Sequence, residues 1–231
     1  MTIKLTSGKL NVLVTGGAGF IGGSLIRRLL EKTNSTVFNL DKISYSSDLS
    51  WLQNIKNKDR HQLLKVDLAS IKETKSAIRD ADPDLIIHLA AESHVDRSIE
   101  NAKPFIDSNI LGTFNLLESA KEHWLKLNNY RKNNFRFLHV STDEVYGSLA
   151  KEGLFNEDSR YDPRSPYSAS KAASDHLVNA WFHTFKLPII KTNCSNNFGP
   201  FQFTEKLIPL VILKAIKGEK IPIYGDGKNV R

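Results

Sequence analysis

Tyr167 and Lys171 have the residue types and the spacing for proton transfer. They are four positions apart in a segment with helical periodicity, so both side chains lie on one face of the predicted helix. A free tyrosine, with a pKa of about 10, is a poor base at neutral pH. A neighbouring ammonium group and a positively charged cofactor ring lower that pKa, so Tyr167 can take a proton from a hydroxyl group while hydride leaves its carbon. The alternative is a half-buried tyrosine beside a solvated lysine.

Two adjacent acids, Asp143 and Glu144, directly follow a predicted strand. Ligands of parallel sheets bind at the carboxyl ends of the strands. Removal of water needs an acid to protonate the departing hydroxyl and a base to take the proton from the neighbouring carbon. Two carboxyl groups in different environments can divide these roles. A solvated loop in which Asp143 forms a turn is the alternative.

Three glycines at three-residue spacing, Gly16, Gly19 and Gly22, follow the first predicted strand. In a strand-to-helix turn they allow a tight bend, close approach of a pyrophosphate and close helix packing. Asp41 ends the second predicted strand, where a carboxylate accepts the hydroxyl groups of an adenosine ribose. Asp41 favours NAD over NADP, although Lys42 beside it is a cation that could meet a 2′-phosphate.

Asp67, at the end of the third predicted strand, has two interpretations. It either contacts the adenine edge of the dinucleotide or caps the N terminus of the next helix. The sequence leaves both open.

Short apolar runs alternate with longer amphipathic runs, the pattern of strands and crossover helices in a parallel sheet. Strands are predicted at residues 11–14, 37–40, 63–66, 85–89, 135–140 and 189–192. Helices are predicted at residues 20–31, 71–80, 105–127, 165–185 and 205–217. The predicted fold is α/β, a Rossmann-like doubly wound parallel sheet over residues 1–192, followed by the start of a substrate-binding domain at residues 193–231.

Composition excludes several classes of protein. Of the 231 residues, 40% are hydrophobic and 25% are charged, which argues against disordered and fibrous chains. The single cysteine, Cys194, permits no intrachain disulfide, so a cytoplasmic location is the default. No apolar run approaches the roughly 18 residues of a membrane span. The net charge of +7 is spread along the chain, with its densest cluster at Arg131, Lys132 and Arg136 in a polar connection, and predicts a solvated basic surface rather than a nucleic-acid site.

The chain ends at Arg231, directly after a turn signal at residues 222–227. We therefore expect the sequence to be truncated. A chain that lacks most of its substrate domain is expected to bind its dinucleotide but to turn over substrate slowly or not at all, because remote binding energy positions the reacting group.

These motifs resemble the extended short-chain dehydrogenase/reductase superfamily, whose members combine Thr-Gly-x-x-Gly-x-x-Gly with Tyr-x-x-x-Lys. Within it, four segments look like the dTDP-glucose 4,6-dehydratases: LAAESHVDRS at 89–98, STDEVYG at 141–147, SPYSASK at 165–171 and TNCSNN at 192–197. The resemblance runs along the whole chain. The Asp143–Glu144 pair is the discriminating feature, because related epimerases typically lack it.

The resemblance implies a homodimeric lyase that oxidises C4 of dTDP-glucose with NAD⁺, eliminates water across C5 and C6, and returns hydride to C6. It assigns Tyr167 as the redox base, with Lys171 holding Tyr167 and the nicotinamide ribose. Asp143 is implied as the proton donor to the C6 hydroxyl, Glu144 as the base at C5, and Thr142 as a hydrogen-bonding partner of the sugar. The implied dimer forms through the helices at 105–127 and 165–185.

The resemblance also assigns binding residues. Those near the cofactor are Gly16, Gly19, Phe20, Ile21, Gly22, Asp41, Lys42, Ser44, Asp67, Leu68, Leu89, Ala90, Ala91, Ser93, Ser108, Tyr167, Lys171 and Asn197. Those facing the nucleotide sugar are Ser93, Thr142, Asn196, Lys206, Leu207, Pro222, Ile223, Tyr224 and Arg231. No metal is expected, since His94 and Cys194 lack a ligand set. An NAD-dependent nucleotide-sugar epimerase or decarboxylase, and a non-catalytic NAD-binding module, remain as alternatives.

Overall fold

The computed structural model describes residues 8–149, 153–223 and 225–227, and its strands form one parallel sheet. The strands are β1 (Asn11–Thr15), β2 (Thr36–Asp41), β3 (His61–Lys65), β4 (Leu85–His88), β5 (Arg136–Thr142) and β6 (Ile189–Cys194). Their order in the sheet is β3-β2-β1-β4-β5-β6. This order reverses direction at β1, so the predicted doubly wound fold is confirmed, and a crevice is expected where the ends of β1 and β4 diverge.

Helices connect the strands. They are α1 (Phe20–Lys32), α2 (Ile71–Ala81), α3 (Val95–Glu100), α4 (Lys103–Phe105), α5 (Gly112–Lys126), α6 (Asn129–Asn134), α7 (Pro166–Phe185) and α8 (Leu207–Lys217). A π-helical segment, Ile106–Leu111, joins α4 to α5, and a 3₁₀ turn, Asp143–Tyr146, follows β5. No helix in the described part of the chain is both long and apolar enough to cross a membrane.

The chain divides into two compact units, Met1–Asn196 and Asn197–Arg231. The first unit contains the whole sheet, and the second contains α8. The helix α8 has no buried residue, and Leu207, Ile212 and Ile216 on it are exposed.

Apolar side chains cover both faces of the sheet. Leu13 of β1 belongs to the cluster that includes Leu116 of α5 and Val178 of α7. Its neighbours Val12 and Val14 belong to the opposite cluster, with Ile26 of α1. Successive side chains of a strand point to opposite faces of the sheet. Because both faces are buried here, the strands are continuous apolar runs rather than alternating apolar and polar residues.

The helix that carries Tyr167 begins at a strong start signal. The hydroxyl of Ser165 accepts the amide of Ser168 at 3.0 Å, the hydroxyl of Ser168 accepts the amide of Ser165 at 3.0 Å, and Pro166 stands in the first turn. Such a reciprocal cap satisfies amides that a helix otherwise leaves free. It fixes the start of α7 at Pro166, one residue before Tyr167.

The cap of α2 corrects one expectation. Ser70, not Asp67, caps this helix, accepting the amide of Glu73. The carboxylate of Asp67 instead accepts the amide of Ala69 at 2.9 Å, which forms a tight turn before the helix. The helix-cap interpretation of Asp67 is therefore wrong.

Several predicted boundaries are also wrong. β3 begins at His61 rather than at residue 63, because pairing with β2 sets the limits of this half-exposed edge strand more than its apolar residues do. The helix predicted at 105–127 begins earlier, at Lys103, and contains the π-helical segment. The helix predicted at 205–217 begins at Leu207. α3 and α6 were not predicted, because six-residue polar helices have too few turns to show an apolar period.

Arg131 is not a freely solvated cation. Its guanidinium donates to the carboxylates of Asp84 and Asp82 at 2.7 Å each, and to the carbonyl of Asp82. Lys132 lies over the ring of Trp124. The predicted polar connection is in part the helix α6, and Arg131 ties it to the residues that precede β4.

Buried hydrogen bonds connect the carboxyl ends of β1 and β4 to the π-helical segment. The hydroxyl of Thr15 accepts the amides of Leu89 and Ala90 and therefore donates to Nδ1 of His88, at 2.7 Å. Nε2 of His88 donates to the hydroxyl of Thr113 at 3.0 Å, and that hydroxyl donates to the carbonyl of Asn109. A neutral His88 thus accepts one hydrogen bond from Thr15 and donates one to Thr113. This agrees with its pKa, which burial holds well below 6.5.

Asn109 continues these connections to the helix of Tyr167. Its side-chain oxygen accepts the amide of Glu92 at 2.8 Å, and its side-chain nitrogen donates to the carbonyl of Glu92 at 3.0 Å. The same nitrogen donates to the hydroxyl of Ser170 at 2.8 Å, which donates to the carbonyl of Tyr167. Asn109 is 1% exposed, so its side chain joins the loop after β4 to α7 inside the protein.

A buried acid joins β5 and β6 to the same helix. The carboxylate of Asp175 accepts hydrogen bonds from His139, Ser141 and Tyr161 at 3.1, 2.9 and 2.7 Å. Burial alone would raise the pKa of Asp175, but the hydrogen bonds from His139 and Tyr161 and the charge of Lys171 outweigh it and lower that pKa. Asp175 therefore stays ionised under the end of β5.

Replacing Asn109 with alanine should lower the free energy of unfolding by about 3 kcal/mol, because the amide of Glu92 and the hydroxyl of Ser170 lose buried partners. N133A, on the exposed surface of α6, is the matched control and should change stability by less than about 0.5 kcal/mol. Urea unfolding measures both. Equal stability of the two variants would show that the Asn109 bonds contribute little.

Stability should fall as the pH decreases from 6.5 towards 4. Unfolded histidine ionises near pH 6.5, whereas burial, followed by the charge of Lys171, lowers the pKa of folded His139 to about 4. His88 shifts in the same direction, so the unfolded chain binds more protons in this window. Each histidine should contribute up to about 1.4 kcal/mol per pH unit to the loss. Urea unfolding between pH 7.5 and 5 measures the dependence of the unfolding free energy on pH. H139Q should make this dependence weaker, whereas H183Q, at an exposed site, should not. A slope of zero would contradict the expectation.

Candidate active site

The glycine-rich turn lies between β1 and α1 and needs its glycines. Gly16 has a φ of 73°, and a Cβ there would lie 2.7 Å from Cα of Ala90. A Cβ on Gly22 would collide with the carbonyl oxygen of Gly16. Gly19 precedes α1, and no side chain caps the amides of that first turn. The start of α1 is therefore a site where backbone N–H groups can bind an anion.

The carboxylate of Asp41 is held beside this turn. One oxygen accepts the amide of Ala18 at 3.0 Å and the other accepts the amide of Ile43 at 2.8 Å. Asp41 is buried, and the oxygen that accepts the amide of Ile43 also accepts the hydroxyl of Ser47 at 3.5 Å. The other oxygen keeps a further lone pair for a hydroxyl donor. Asp41 thus both fixes the turn and can receive a ribose hydroxyl.

A cleft of about 400 Å³ opens next to Asp41, at the carboxyl ends of β2 and β3. Its lining residues are Lys42, Ile43, Ser44, Lys65, Val66, Asp67 and Glu73. Three predicted cofactor residues, Lys42, Ser44 and Asp67, therefore share one cleft. Leu68, another predicted cofactor residue, is buried in the hydrophobic core.

The segment after β4 packs against the glycine-rich turn. The amides of Leu89 and Ala90 bond to Thr15, and the backbone of Ala90 lies closest to Gly16. Asn109 fixes the backbone of Glu92 two residues later. Ser108, also predicted near the cofactor, lies in the same π-helical segment as Asn109.

Tyr167 lies beside Thr142, the last residue of β5, and the two acids of the 3₁₀ turn that follows it. Its amide donates to the hydroxyl of Ser98 at 3.2 Å, and its ring packs edge-on against Phe105. Burial raises the pKa of Tyr167, the charges of Glu144 and Asp143 raise it further, and a side-chain hydrogen bond with Thr142 opposes them. The structure thus brings Tyr167, Thr142, Asp143 and Glu144 together.

Lys171 is directed at the backbone of β5. Its Nζ donates to the carbonyl of Val140 at 3.0 Å, and burial lowers its pKa against the charges of Asp175 and Cys194. The predicted lowering of the Tyr167 pKa requires a bound cofactor ring together with Lys171. Without that ring, burial and the charges of Glu144 and Asp143 raise this pKa.

The 3₁₀ turn after β5 fixes the two acids. The hydroxyl of Thr142 accepts the amide of Glu144 at 3.2 Å and donates to the carboxylate of Asp143 at 3.3 Å. Val145 and Tyr146 anchor the turn in the interior. Asp143 and Glu144 therefore leave the strand from a fixed turn rather than from a solvated loop.

Two residues that support the site, Asp175 and Asn109, were missed from the sequence. Asp175 continues the four-residue series of Tyr167 and Lys171 on one face of α7, so helical spacing could have found it. Asn109 gave no signal, because its partners Glu92 and Ser170 are distant in the sequence. Cys194 contacts the carbonyl of Ser141 at 3.3 Å and lies close enough to Tyr167 and Lys171 to affect their pKa values.

The remaining predicted site residues divide between the units. Ser93 and Asn196 belong to the first unit. Asn197, Lys206, Leu207, Pro222 and Ile223 belong to the second, and Tyr224 and Arg231 lie outside the described residues. Among the described residues, no group of three or more histidine, cysteine or acidic side chains is arranged to hold a metal.

The chain is similar to several known proteins. A dTDP-glucose 4,6-dehydratase from Neisseria gonorrhoeae is 51% identical over 227 residues, which cover 98% of this chain and 66% of the relative. The crystal structure of DesIV, a dTDP-glucose 4,6-dehydratase from Streptomyces venezuelae with NAD and TYD bound, matches with a TM-score of 0.85 and 40% identity over 94% of this chain and 66% of that one. A UDP-glucose 4-epimerase from Thermus thermophilus in complex with NAD matches with a TM-score of 0.78 and 28% identity, over 92% and 65% of the two chains.

The chain therefore spans just under two thirds of the length of these relatives. The family model described as GDP-mannose 4,6 dehydratase matches residues 13–231. That match includes the glycine-rich turn, the two acids after β5 and the helix of Tyr167. This chain belongs to the GDP-mannose 4,6 dehydratase family.

Proposed function

We propose that this chain carries the NAD-binding part and the catalytic residues of an enzyme that converts dTDP-glucose to dTDP-4-keto-6-deoxyglucose. The observation that carries the proposal is the cluster of Tyr167 with Thr142, Asp143 and Glu144 at the end of β5. A buried hydroxyl beside two acids provides three proton-transfer groups at one place. Elimination of water needs such a set, whereas epimerisation through a keto intermediate does not.

The residues of the first unit fit a dinucleotide such as NAD. No side chain caps the start of α1, and the absence of a Cβ at Gly16 and Gly22 allows the tight turn that presents its backbone amides to a pyrophosphate. Asp41 can accept a ribose hydroxyl. The cleft lined by Lys42, Ser44 and Asp67 offers a place for the adenine. NAD, when bound, supplies the hydride acceptor and carries a positive ring charge. The NAD in the DesIV and epimerase structures supports this assignment.

The chain's own residues then divide the proton transfers. Tyr167 takes the proton of the C4 hydroxyl, and Thr142 bonds to the same region of the sugar. Asp143 protonates the departing C6 hydroxyl, and Glu144 removes the proton at C5. Lys171 supports the end of β5 through Val140 and holds the ribose next to Tyr167. The TYD in the DesIV structure supports a dTDP-sugar as substrate.

The substrate domain and the location of the enzyme complete the proposal. Residues 193–231 begin a substrate-binding domain, and its residues Lys206, Leu207, Pro222 and Ile223 are proposed to bind the nucleotide sugar, as are Tyr224 and Arg231, which lie outside the described residues. The single cysteine agrees with a cytoplasmic enzyme.

A homodimer is proposed through α5 and α7. Leu111, Phe114, Phe182 and Phe185, here called the α5/α7 patch, are large apolar side chains that remain exposed at these helices. The rings of Phe114 and Phe185 both pack edge-on against Trp181, which joins these members of the patch across α5 and α7. Continuous exposed apolar surface favours association with another protein surface.

Product analysis tests the proposed reaction. The 231-residue chain, and a chimera in which the C-terminal third of the Neisseria gonorrhoeae relative follows it, are incubated with NAD and dTDP-glucose. The chimera should release dTDP-4-keto-6-deoxyglucose. The chain alone should be much slower, because it lacks remote substrate contacts. Release of an epimer, or of carbon dioxide from the corresponding uronic acid, by the chimera would instead identify an epimerase or a decarboxylase.

Variants of the chimera separate the proton-transfer roles. Y167F should slow single-turnover formation of NADH by about 10²–10⁴-fold, whereas D143N and E144Q should slow water loss more than oxidation. Y130F, at an exposed position, is the matched control. Normal NADH formation by Y167F would refute the role of Tyr167.

Charge placed in the α5/α7 patch should disrupt the dimer. The double variant F114D/F182D should sediment as a monomer at a concentration where the unchanged chain is a dimer, because the buried carboxylates would lack partners. Y130D, on the exposed surface of α6, should remain dimeric. Sedimentation of the unchanged chain as a monomer would contradict the proposed interface.

A further inference from the structure

An ion pair joins the loops that follow β2 and β4. Nζ of Lys42 lies 2.7 Å from Oε1 of Glu92, and the two side chains are only 34% and 17% exposed. β2 and β4 are the two neighbours of β1 in the sheet, so the pair connects both sides of the strand that leads into the glycine-rich turn. This position makes the pair part of the dinucleotide site rather than of the outer surface.

Glu92 is presented by a fixed backbone. Asn109 accepts its amide at 2.8 Å and donates to its carbonyl at 3.0 Å. Asn109 is itself held inside the protein by its bond to Ser170. The carboxylate of Glu92 is therefore kept within reach of Lys42.

Lys42 directly follows Asp41, at the point where dinucleotide-binding folds meet the adenosine ribose. In this position an acid accepts the 2′-hydroxyl of NAD, and a nearby cation accommodates the 2′-phosphate of NADP. This chain has both groups at adjacent positions, the acid at Asp41 and the cation at Lys42. The other charged residues lining the same cleft are Lys65, Asp67 and Glu73. An unpaired Lys42 would thus add to the charge of Lys65 and oppose the discrimination by Asp41.

We propose that Glu92 is a specificity-determining residue that pairs with Lys42 and keeps its ammonium from serving a 2′-phosphate. Glu92 then acts together with Asp41 to select NAD. This inference rests on the proposed NAD site and deepens it. It also explains why a lysine beside Asp41 is compatible with NAD binding.

The test measures the affinities of NAD and NADP for the 231-residue chain and its E92Q variant by isothermal titration calorimetry. E92Q is isosteric and leaves the backbone bonds to Asn109 in place. It should strengthen NADP binding by about tenfold relative to NAD, the size expected for one charge-assisted contact. NAD binding should change by less than about twofold. The gain for NADP should shrink at high salt, because Lys42 is partly exposed.

Two further variants identify the source of any gain. The double variant K42M/E92Q should lose the gain, because the ammonium that serves the phosphate is absent. E122Q removes the same charge from a second ion pair, between Glu122 and Lys75 at 2.7 Å, neither of which lines the cleft. It should leave the ratio of affinities unchanged and so controls for net charge.

The outcomes separate the proposal from the function on which it rests. If the unchanged chain binds neither dinucleotide, the NAD site is wrong and the role of Glu92 falls with it. If the chain binds NAD but E92Q leaves the ratio unchanged, only the role of Glu92 is overturned. An equal loss of NAD and NADP affinity in E92Q would show that Glu92 only holds the two loops together, and would overturn the proposed role. A gain in NADP affinity that persists in K42M/E92Q would overturn it too.

Discussion

Buried polar groups need hydrogen-bond partners, and in this chain that requirement joins the two halves of the site. Thr15, His88 and Thr113 link the end of β1 to the π-helical segment, and Asn109 links that segment to the loop after β4 and to α7. Asp175 does the same for β5 and β6. The glycine-rich turn and Tyr167 are far apart in sequence but are fixed to one another through these bonds.

Electrostatics at the end of β5 follows from this arrangement. Burial and the neighbouring carboxylates raise the pKa of Tyr167, so the protein's own groups favour the protonated phenol. Burial also lowers the pKa of Lys171, whose ammonium donates a hydrogen bond to the carbonyl of Val140. A site of this kind resists ionisation until a positive charge arrives beside the phenol. Under the proposed function, proton transfer by Tyr167 is therefore coupled to occupation of the cofactor site, which limits side reactions.

The sequence predicted the parts of this structure that depend on local pattern. The six strands, α1, α2 and the start of α7 have clear apolar periods, caps or turn residues, and Gly16, Gly19 and Gly22 follow β1 as expected. Long-range pairing was not predictable. Ser70 rather than Asp67 caps α2, Arg131 pairs with Asp82 and Asp84, and Lys42 pairs with Glu92, because each choice depends on residues brought together by the sheet. The π-helical segment has no sequence period of its own.

The most direct test of this account is a crystal structure of the chain grown with NAD. The account predicts the pyrophosphate at the start of α1, the ribose hydroxyls within hydrogen-bond distance of Asp41, and the nicotinamide ring beside Tyr167. Adenosine bound as expected but with the nicotinamide far from Tyr167 and Lys171 would contradict the proposed chemistry. A dinucleotide bound away from the glycine-rich turn would contradict the site as a whole.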